Sequence, residues 1–276
     1  MDAKQHKQNI QEIFDAVSGQ YDSSATRFFP FCADQLVNIV KPGSGARVLD
    51  VATGTGMVAT AMAQAVGQSG RVTGIDLSTG MLDKAQINIH KMALKNIDLH
   101  EMDAEKLDFK SGYFDNVVCS YGLFFIPDMG AALKDWVRVV RLGGKVAFTC
   151  FETTAFQPML DDFVHQLKQF GVVLPEGPFG SKRIESTEHC HNLLTDAGLQ
   201  DTTVINKQLG YHLRDEQEWW EVVNNTAMRG LYLQVPEADR AKFRDAHLQF
   251  AREKLTEKGL WMDVETRFAM GLRPNQ

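Results

Sequence analysis

Val48-Leu-Asp-Val-Ala-Thr-Gly-Thr-Gly56 is the stretch whose reading decides the fold. The apolar run before it, Ala46-Arg-Val-Leu-Asp-Val51, reads as a strand, and the small residues from Met57 to Val66 read as a helix packing closely on a sheet. Glycines at 54 and 56, between that strand and helix, leave backbone bare for a ligand to approach. Gly54-x-Gly56-x-x-Ala59 also satisfies the dinucleotide fingerprint, and Asp76 stands 20 residues beyond Gly56, where a ribose-binding acid belongs. Two features tilt the balance away from a dinucleotide. Asp50 precedes the first glycine by four residues, and a carboxylate there repels a dianionic pyrophosphate. A ligand with positive charge and no phosphate meets no such objection. The second feature is Asp103-Ala104, just past the third apolar run, where a carboxylate and a backbone amide can pair with the edge of an adenine.

Outward from this loop the same alternation continues. Arg71 to Asp76, Ile97 to Met102, Phe114 to Ser120 and Gly144 to Phe151 read as four further strands. Ser78 caps a helix carrying Met81, Leu82, Ala85 and Ile89, and Asp128 opens another carrying Leu133, Trp136, Val137 and Val140, ended by Gly143-Gly144. Strands with helices between them imply right-handed crossovers and a parallel sheet. The runs Val117-Val-Cys119 and Val146-Ala-Phe148 fit central strands buried on both faces. Residues 1–44 suggest two helices forming a lid, residues 45–152 the α/β core, and residues 153–276 the completion of the sheet plus a helical cap, all as one structural domain. In the last part, a helix to about Phe170 precedes a Gly/Pro-rich loop from Gly171 to Gly180, and a helix from about Thr187 to Ala197 precedes the strand Thr202 to Ile205. Residues 214–258 read as helical and Met262 to Leu272 as a final strand.

Composition excludes several classes. With 44% apolar and 23% charged residues, 22 Gly and 8 Pro among 276 residues, the chain is neither disordered, collagenous nor a coiled coil. A net charge of −6 weighs against electrostatic capture of nucleic acid. Met1 to Asn9 lacks the apolar centre of a signal peptide, and the longest apolar stretch, Val117 to Ile126, is about half a membrane span. Four separated cysteines without a CxxC pair suit a reduced cytoplasmic chain with neutral thiols. His189-Cys190-His191 resembles a metal cluster only on paper, because helix positions two apart point about 200° away from each other. No H-E-x-x-H, Walker A or G-x-S-x-G motif is present.

At these residues the chain resembles the class I S-adenosylmethionine-dependent methyltransferases, and within them the branch of ubiquinone/menaquinone C-methyltransferases and many small-molecule methyltransferases. The resemblance is carried by Val48 to Gly56, Gly74-Ile-Asp-Leu-Ser-Thr-Gly-Met-Leu82, Asp103-Ala104, Phe114-Asp-Asn-Val-Val118 and Arg141-Leu-Gly-Gly-Lys145, over about residues 10 to 150. Leu193-Leu-x-x-Ala197-Gly198 and Glu218-Trp-Trp220 extend it more loosely, and Ala52 departs from the family's usual glycine. The resemblance implies a seven-stranded, mostly parallel Rossmann-like sheet with helices on both faces, an N-terminal helical lid, a C-terminal helical cap and S-adenosylmethionine as cofactor. It also implies residue roles. Ala52, Gly54, Thr55 and Gly56 would pass beneath the methionine moiety, with Asp50 holding the loop and its charged ligand or merely bracing the turn. Asp76 would accept both ribose hydroxyls, Leu77 and Met81 would pack on the adenine unless they are simple core, and Asp103 and Ala104 would meet the adenine edge. Ser120 and Tyr121 would lie where the fourth strand meets cofactor and acceptor, and Tyr21 would close over the methionine end.

Methyl transfer from a sulfonium is an in-line displacement, so alignment of acceptor, methyl and sulfur is the main requirement, and near-attack positioning supplies roughly 7–11 kcal/mol. The sequence identifies no general base. His165, His212 and His247 lie in covering regions and, with Tyr121, are the candidates, although a packing or surface role suits each histidine better. Aromatic residues favour an enclosed acceptor pocket formed by Tyr121, Phe125, Phe151, Phe179 and Trp219, with only one of Trp219 and Trp220 able to face it. Ser120-Tyr-Gly-Leu-Phe-Phe-Ile-Pro127 lacks the Asn/Asp-Pro-Pro-Tyr/Phe motif that resembles nucleic-acid base methyltransferases, which with the −6 charge demotes DNA and RNA. The aromatic enclosure favours a small aromatic or hydrophobic metabolite, methylated at oxygen or carbon. A nicotinamide-dependent oxidoreductase suffers from Asp50 and from the absence of a Tyr-x-x-x-Lys pair. A non-catalytic S-adenosylmethionine-binding protein has no need of the aromatic enclosure. The region after Phe151 is longer than the quinone enzymes usually carry and favours another small molecule. Oligomeric state is not readable.

Overall fold

The computed structural model describes residues 3–174 and 180–275. Its strands are β1 (Arg47–Val51), β2 (Arg71–Asp76), β3 (Ile97–Glu101), β4 (Phe114–Ser120), β5 (Val140–Phe151), β6 (Gln200–Gln208), β7 (Tyr211–Leu213), β8 (Leu260–Met262) and β9 (Glu265–Leu272). Seven of them form one sheet in the order β3-β2-β1-β4-β5-β9-β6. The first five are mutually parallel, while β9 runs antiparallel to both β5 and β6. The strand order reverses between β1 and β4, and in open α/β sheets that reversal opens a crevice at the carboxyl ends. This is the seven-stranded Rossmann-like methyltransferase arrangement.

Ten helices among the described residues surround the sheets: α1 (Ala3–Val17), α2 (Phe28–Val40), α3 (Met57–Val66), α4 (Thr79–Lys91), α5 (Met129–Val139), α6 (Met159–Gln169), α7 (Thr187–Asp196), α8 (Glu216–Asn225), α9 (Met228–Tyr232) and α10 (Arg240–Glu253). The caps follow the local chemistry: the side chains of Ser78, Asp128, Ser186 and Asp215 each accept from a backbone N–H in the first turn of α4, α5, α7 and α8. Val117, Val118, Cys119, Val146, Ala147 and Phe148 are all buried, as expected of strands covered on both faces. Complete burial of single side chains such as Leu49 and Ile75 stabilises the sheet by about 1.5–3 kcal/mol each. No helix among the described residues is long and apolar enough to cross a membrane.

Three boundaries differ from the sequence reading. Helix α5 stops at Val139, and Gly143-Gly144 lies inside β5 instead of ending the helix. A register shift between Phe114 and Asn116 brings the strands together there, and a Cβ on Gly144 would stand 2.6 Å from the Asp115 carbonyl oxygen. The supposed last strand is two: β8 leaves the main sheet to pair with β7, and β9 begins after Asp263, whose carboxylate accepts from the Glu265 N–H at 3.0 Å. The helical stretch of residues 214–258 is likewise broken, with Pro236 between α9 and α10.

Candidate cofactor and acceptor site

The β1–α3 loop carries three left-handed residues, Ala52 (φ 54°), Gly54 (φ 55°) and Gly56 (φ 83°). A Cβ at Gly54 would meet nothing within 4 Å, and the residue lines a cleft at the carboxyl ends of the strands. Its bare backbone is therefore one wall of a cradle. Gly56 serves packing instead, because a Cβ there would lie 3.2 Å from Ala85 on α4. Ala52 holds a conformation that glycine adopts without strain, at a cost of about 1 kcal/mol.

Asp76 ends β2 inside the same cleft. One carboxylate oxygen accepts from the Gly54 N–H at 2.8 Å, the other from the Ser78 N–H at 2.9 Å. These bonds orient the carboxylate and leave a lone pair on each oxygen for two hydroxyl donors. Burial raises its pKa, which the same N–H groups partly offset. At the far end, Asp103 accepts from the Glu105 N–H at 2.9 Å and from the Lys7 ammonium at 2.6 Å. Lys7 also pairs with Glu105. Burial alone would lower the Lys7 ammonium, but the two carboxylates outweigh it and hold it above the ordinary lysine value. Leu77, Met81, Met102, Ala104 and Ile10 give this end apolar walls.

Helix α1 covers the cleft, and each of its polar anchors reaches a loop at the sheet crest. Asp15 accepts from the Ser78 hydroxyl at 2.5 Å and from the Gly80 N–H at 3.0 Å. The ring of His6 bonds the Phe125 carbonyl at 2.9 Å through Nε2. After the helix, Asp22 accepts from the Thr55 hydroxyl at 2.6 Å and from the Asn88 amide at 2.7 Å. Thr55 is thus the fastener of the lid, behind the loop, and not a wall of the cleft. Tyr21 lies between Phe14 and Phe29 and lines the cleft, with burial and the charges of Asp76 and Asp22 keeping its phenol protonated far above its ordinary range.

The other end of the cleft is formed by Ser120, Tyr121, Gly122 and Phe125. Tyr121 takes φ 52°, its ring stacks on Phe151 with centroids 4.1 Å apart, and its N–H donates to the Thr149 hydroxyl at 3.1 Å. The Thr266 hydroxyl donates to the Val264 carbonyl, so the Tyr121 hydroxyl donates to Thr266 at 2.7 Å. Burial raises the Tyr121 phenol well above the tyrosine range, and the residue lines the cleft as a wall.

The remaining sequence candidates fall elsewhere. Phe151 backs Tyr121 and does not itself line the cleft. Trp219 is fully buried in the cap, where its indole N–H donates to His247 Nε2 at 2.8 Å. Phe179 lies outside the described residues. His165 is exposed on α6 and bonds Gln169, and His212 packs on Trp261 at 5.1 Å. His247 is fully buried with Nδ1 on Asp162 at 2.6 Å, a tie among α6, α8 and α10. In the His189-Cys190-His191 run, Cys190 is buried and His191 bonds Thr202. Among the described residues no cluster of three or more His, Cys, Asp or Glu side chains is placed to hold a metal. The sequence reading missed Lys7, Ile10 and Phe14, although Ile10, Ile13, Phe14 and Val17 form a stripe at helical spacing in α1.

Asp50 sits beneath the loop, buried, accepting from the Thr53 hydroxyl at 2.6 Å, while its Oδ1 has no partner. Burial pushes its pKa up to about 7 from 3.8. A folded-state value above the unfolded one means that the group favours folding only while protonated, so stability falls as pH rises from about 4 through 7. Asp50→Asn is expected to remove that decline. Urea midpoints at pH 5 and 8 should differ less in the variant than in the parent, and parallel profiles would reject the assignment.

Lys7→Met is expected to raise the dissociation constant for S-adenosylhomocysteine by roughly threefold to tenfold, the scale of a partly exposed ion pair joined to two carboxylates. Calorimetric titration checks this, and an unchanged constant would sink it.

Gly54, Asp76 and Asp103 thus line one cleft at the carboxyl ends of the strands, with an aromatic wall at its far end. The chain belongs to the ubiE/COQ5 methyltransferase family, whose model matches residues 1–201. It is 37% identical over 149 residues to the aklanonic acid methyltransferase DauC of Streptomyces sp. (strain C5), across 54% of this chain and 68% of that one. It is 35% identical over 163 residues to a demethylmenaquinone methyltransferase of Bacillus cereus (strain ATCC 10987 / NRS 248), across 57% and 66%. The chain thus spans about two thirds of the length of these relatives. In fold it is similar to the YcgJ protein of Bacillus subtilis, with a TM-score of 0.60 at 20% identity, covering 89% of this chain and 100% of that one. The protein is an S-adenosylmethionine-dependent methyltransferase.

Proposed function

We propose that this enzyme methylates an oxygen or carbon of a small aromatic, quinone-like or hydrophobic metabolite, with the cofactor lying along the cleft from Asp103 to Tyr121. The observation that carries this reading is the cleft itself: a ribose-type acid and a bare glycine in its middle, and aromatic walls at one end. S-adenosylmethionine supplies an electrophilic methyl group on a sulfonium. In this reading Asp76 accepts the ribose hydroxyls, Asp103 takes the adenine amino group, and Leu77 and Met81 flank the base. Gly54 allows the methionine part to lie against backbone, and Tyr21 closes over it. Asp50 acts from below by bracing the turn through Thr53.

The acceptor end supports an aromatic ring. Phe14 and Phe125 meet edge to face at 5.2 Å, and Tyr121, backed by Phe28, Phe29 and Phe151, forms the other side. Such walls exclude water and align a flat acceptor, which is most of what an in-line transfer needs. The names of the two methyltransferase relatives, acting on aklanonic acid and demethylmenaquinone, point the same way.

Calorimetry with S-adenosylmethionine, S-adenosylhomocysteine and NAD in parallel tests the cofactor arm, with binding of both adenosyl ligands and none of NAD expected. Radiolabelled methyl transfer to naphthoquinols, hydroxyanthraquinones, phenols and polar amines tests the acceptor arm. Transfer to amines alone would refute the aromatic reading.

A further inference from the structure

Behind the sheet, away from the cleft, the sulfur atoms of Cys150 on β5 and Cys190 on α7 lie 3.8 Å apart, both fully buried. Cys150 stands opposite Arg267 in the β5–β9 register, so the Arg267 side chain emerges on the same face of the sheet. Arg267 is 3% exposed. Its terminal nitrogens are spoken for: Nη1 donates to the Ile184 carbonyl at 3.0 Å, and Nη2 to the Glu185 carbonyl at 3.1 Å and to the Glu152 carboxylate. Its Nε is the one buried side-chain nitrogen among the described residues without a hydrogen-bond partner. A buried donor in that state calls for an acceptor, and a negatively charged sulfur in the neighbouring pair would serve.

The two thiols are not equivalent. Cys190 is drawn below the ordinary thiol range by its hydrogen bond with Cys150 and by the Arg267 charge, against the effect of burial. Cys150, sharing that bond and buried, is held well above it. One sulfur is therefore suited to attack and its neighbour to resolve.

We propose that Cys150 and Cys190 are an oxidation site for hydrogen peroxide, closing to a disulfide that ties β5 to α7. The Cys190 thiolate attacks a peroxide oxygen; an S–O bond forms, the O–O bond breaks, and the departing hydroxide takes a proton to become water. The Cys150 sulfur then attacks the sulfenic sulfur; the S–S bond forms, the S–O bond breaks, and the second hydroxide leaves with the Cys150 proton as water. Two thiols and one peroxide give one disulfide and two waters, with both electrons supplied by the sulfurs. The Arg267 charge beside the pair favours the thiolate form of Cys190. This departs from the expectation of neutral thiols in a reduced chain.

The test is peptide mapping of the full-length protein after mild hydrogen peroxide treatment, with N-ethylmaleimide added on unfolding. The expected product is a Cys150–Cys190 cross-linked peptide, reversible by dithiothreitol, with Cys32 and Cys119, equally buried, recovered as alkylated thiols. In Cys150→Ser, dimedone should label Cys190; in Cys190→Ser, Cys150 should remain an unlabelled thiol. Four alkylated thiols after peroxide, or sulfenic acid trapped first on Cys150, would overturn the proposal. The wild-type map alone decides if either variant fails to fold.

Discussion

Asp76→Ala should weaken S-adenosylhomocysteine binding by several hundredfold. The expected size follows from the two charge-assisted hydrogen bonds that the proposed placement gives Asp76 to the ribose, worth about 1.5–3 kcal/mol each. A further part comes from the loop. Asp76 accepts from the Gly54 and Ser78 N–H groups, and its removal leaves both donors unpaired at the edge of the cradle. Asp76→Asn separates the two contributions, since an amide keeps one acceptor oxygen, and a loss of roughly tenfold to thirtyfold is expected. Calorimetry gives the constants, and thermal melting distinguishes lost binding from lost folding. A constant for Asp76→Ala within threefold of the parent would remove the ribose from this position.

The parallel core of the sheet was readable because its signals are local. β1, β2 and β4 are short, largely apolar runs between turn residues, and the crossover rule then leaves little freedom. That Asp76, Gly54 and Asp103 share one cleft was readable for a related reason: a residue at the end of a strand is placed by the strand. Lys7 was not, since its partners lie 96 and 98 residues away in the chain and a lysine on a polar helix has no local mark. The three-residue strands β7 and β8 are too short to show alternation.

Aromatic composition misled in a specific way. It marked Phe151 and Trp219 as pocket walls, but a ring's size says only that it is buried and not which neighbour buries it. Phe151 meets the back of Tyr121, and Trp219 meets His247. The Thr55–Asp22 bond shows the same limit at the glycine loop, where the resemblance placed Thr55 beneath the cofactor and the fold engages its hydroxyl with the lid.

His247→Ala should destabilise the folded protein by about 3–5 kcal/mol while leaving S-adenosylhomocysteine affinity unchanged below the melting transition. The indole of Trp219 can only donate, so Nε2 of His247 accepts and Nδ1 carries the proton that Asp162 receives. The ring is thereby fixed as the neutral tautomer, bridging α8, α10 and α6. Truncation leaves a cavity among Phe163, Trp219, Trp220 and Phe243, an indole donor without an acceptor, and a nearly buried carboxylate without its donor. In a chain of this size that corresponds to a fall in melting temperature of roughly 10 °C. A general base would behave in the opposite way, with the melting temperature kept and the turnover rate lost. Melting curves and single-turnover rates on one preparation therefore separate a cap tie from a catalytic histidine.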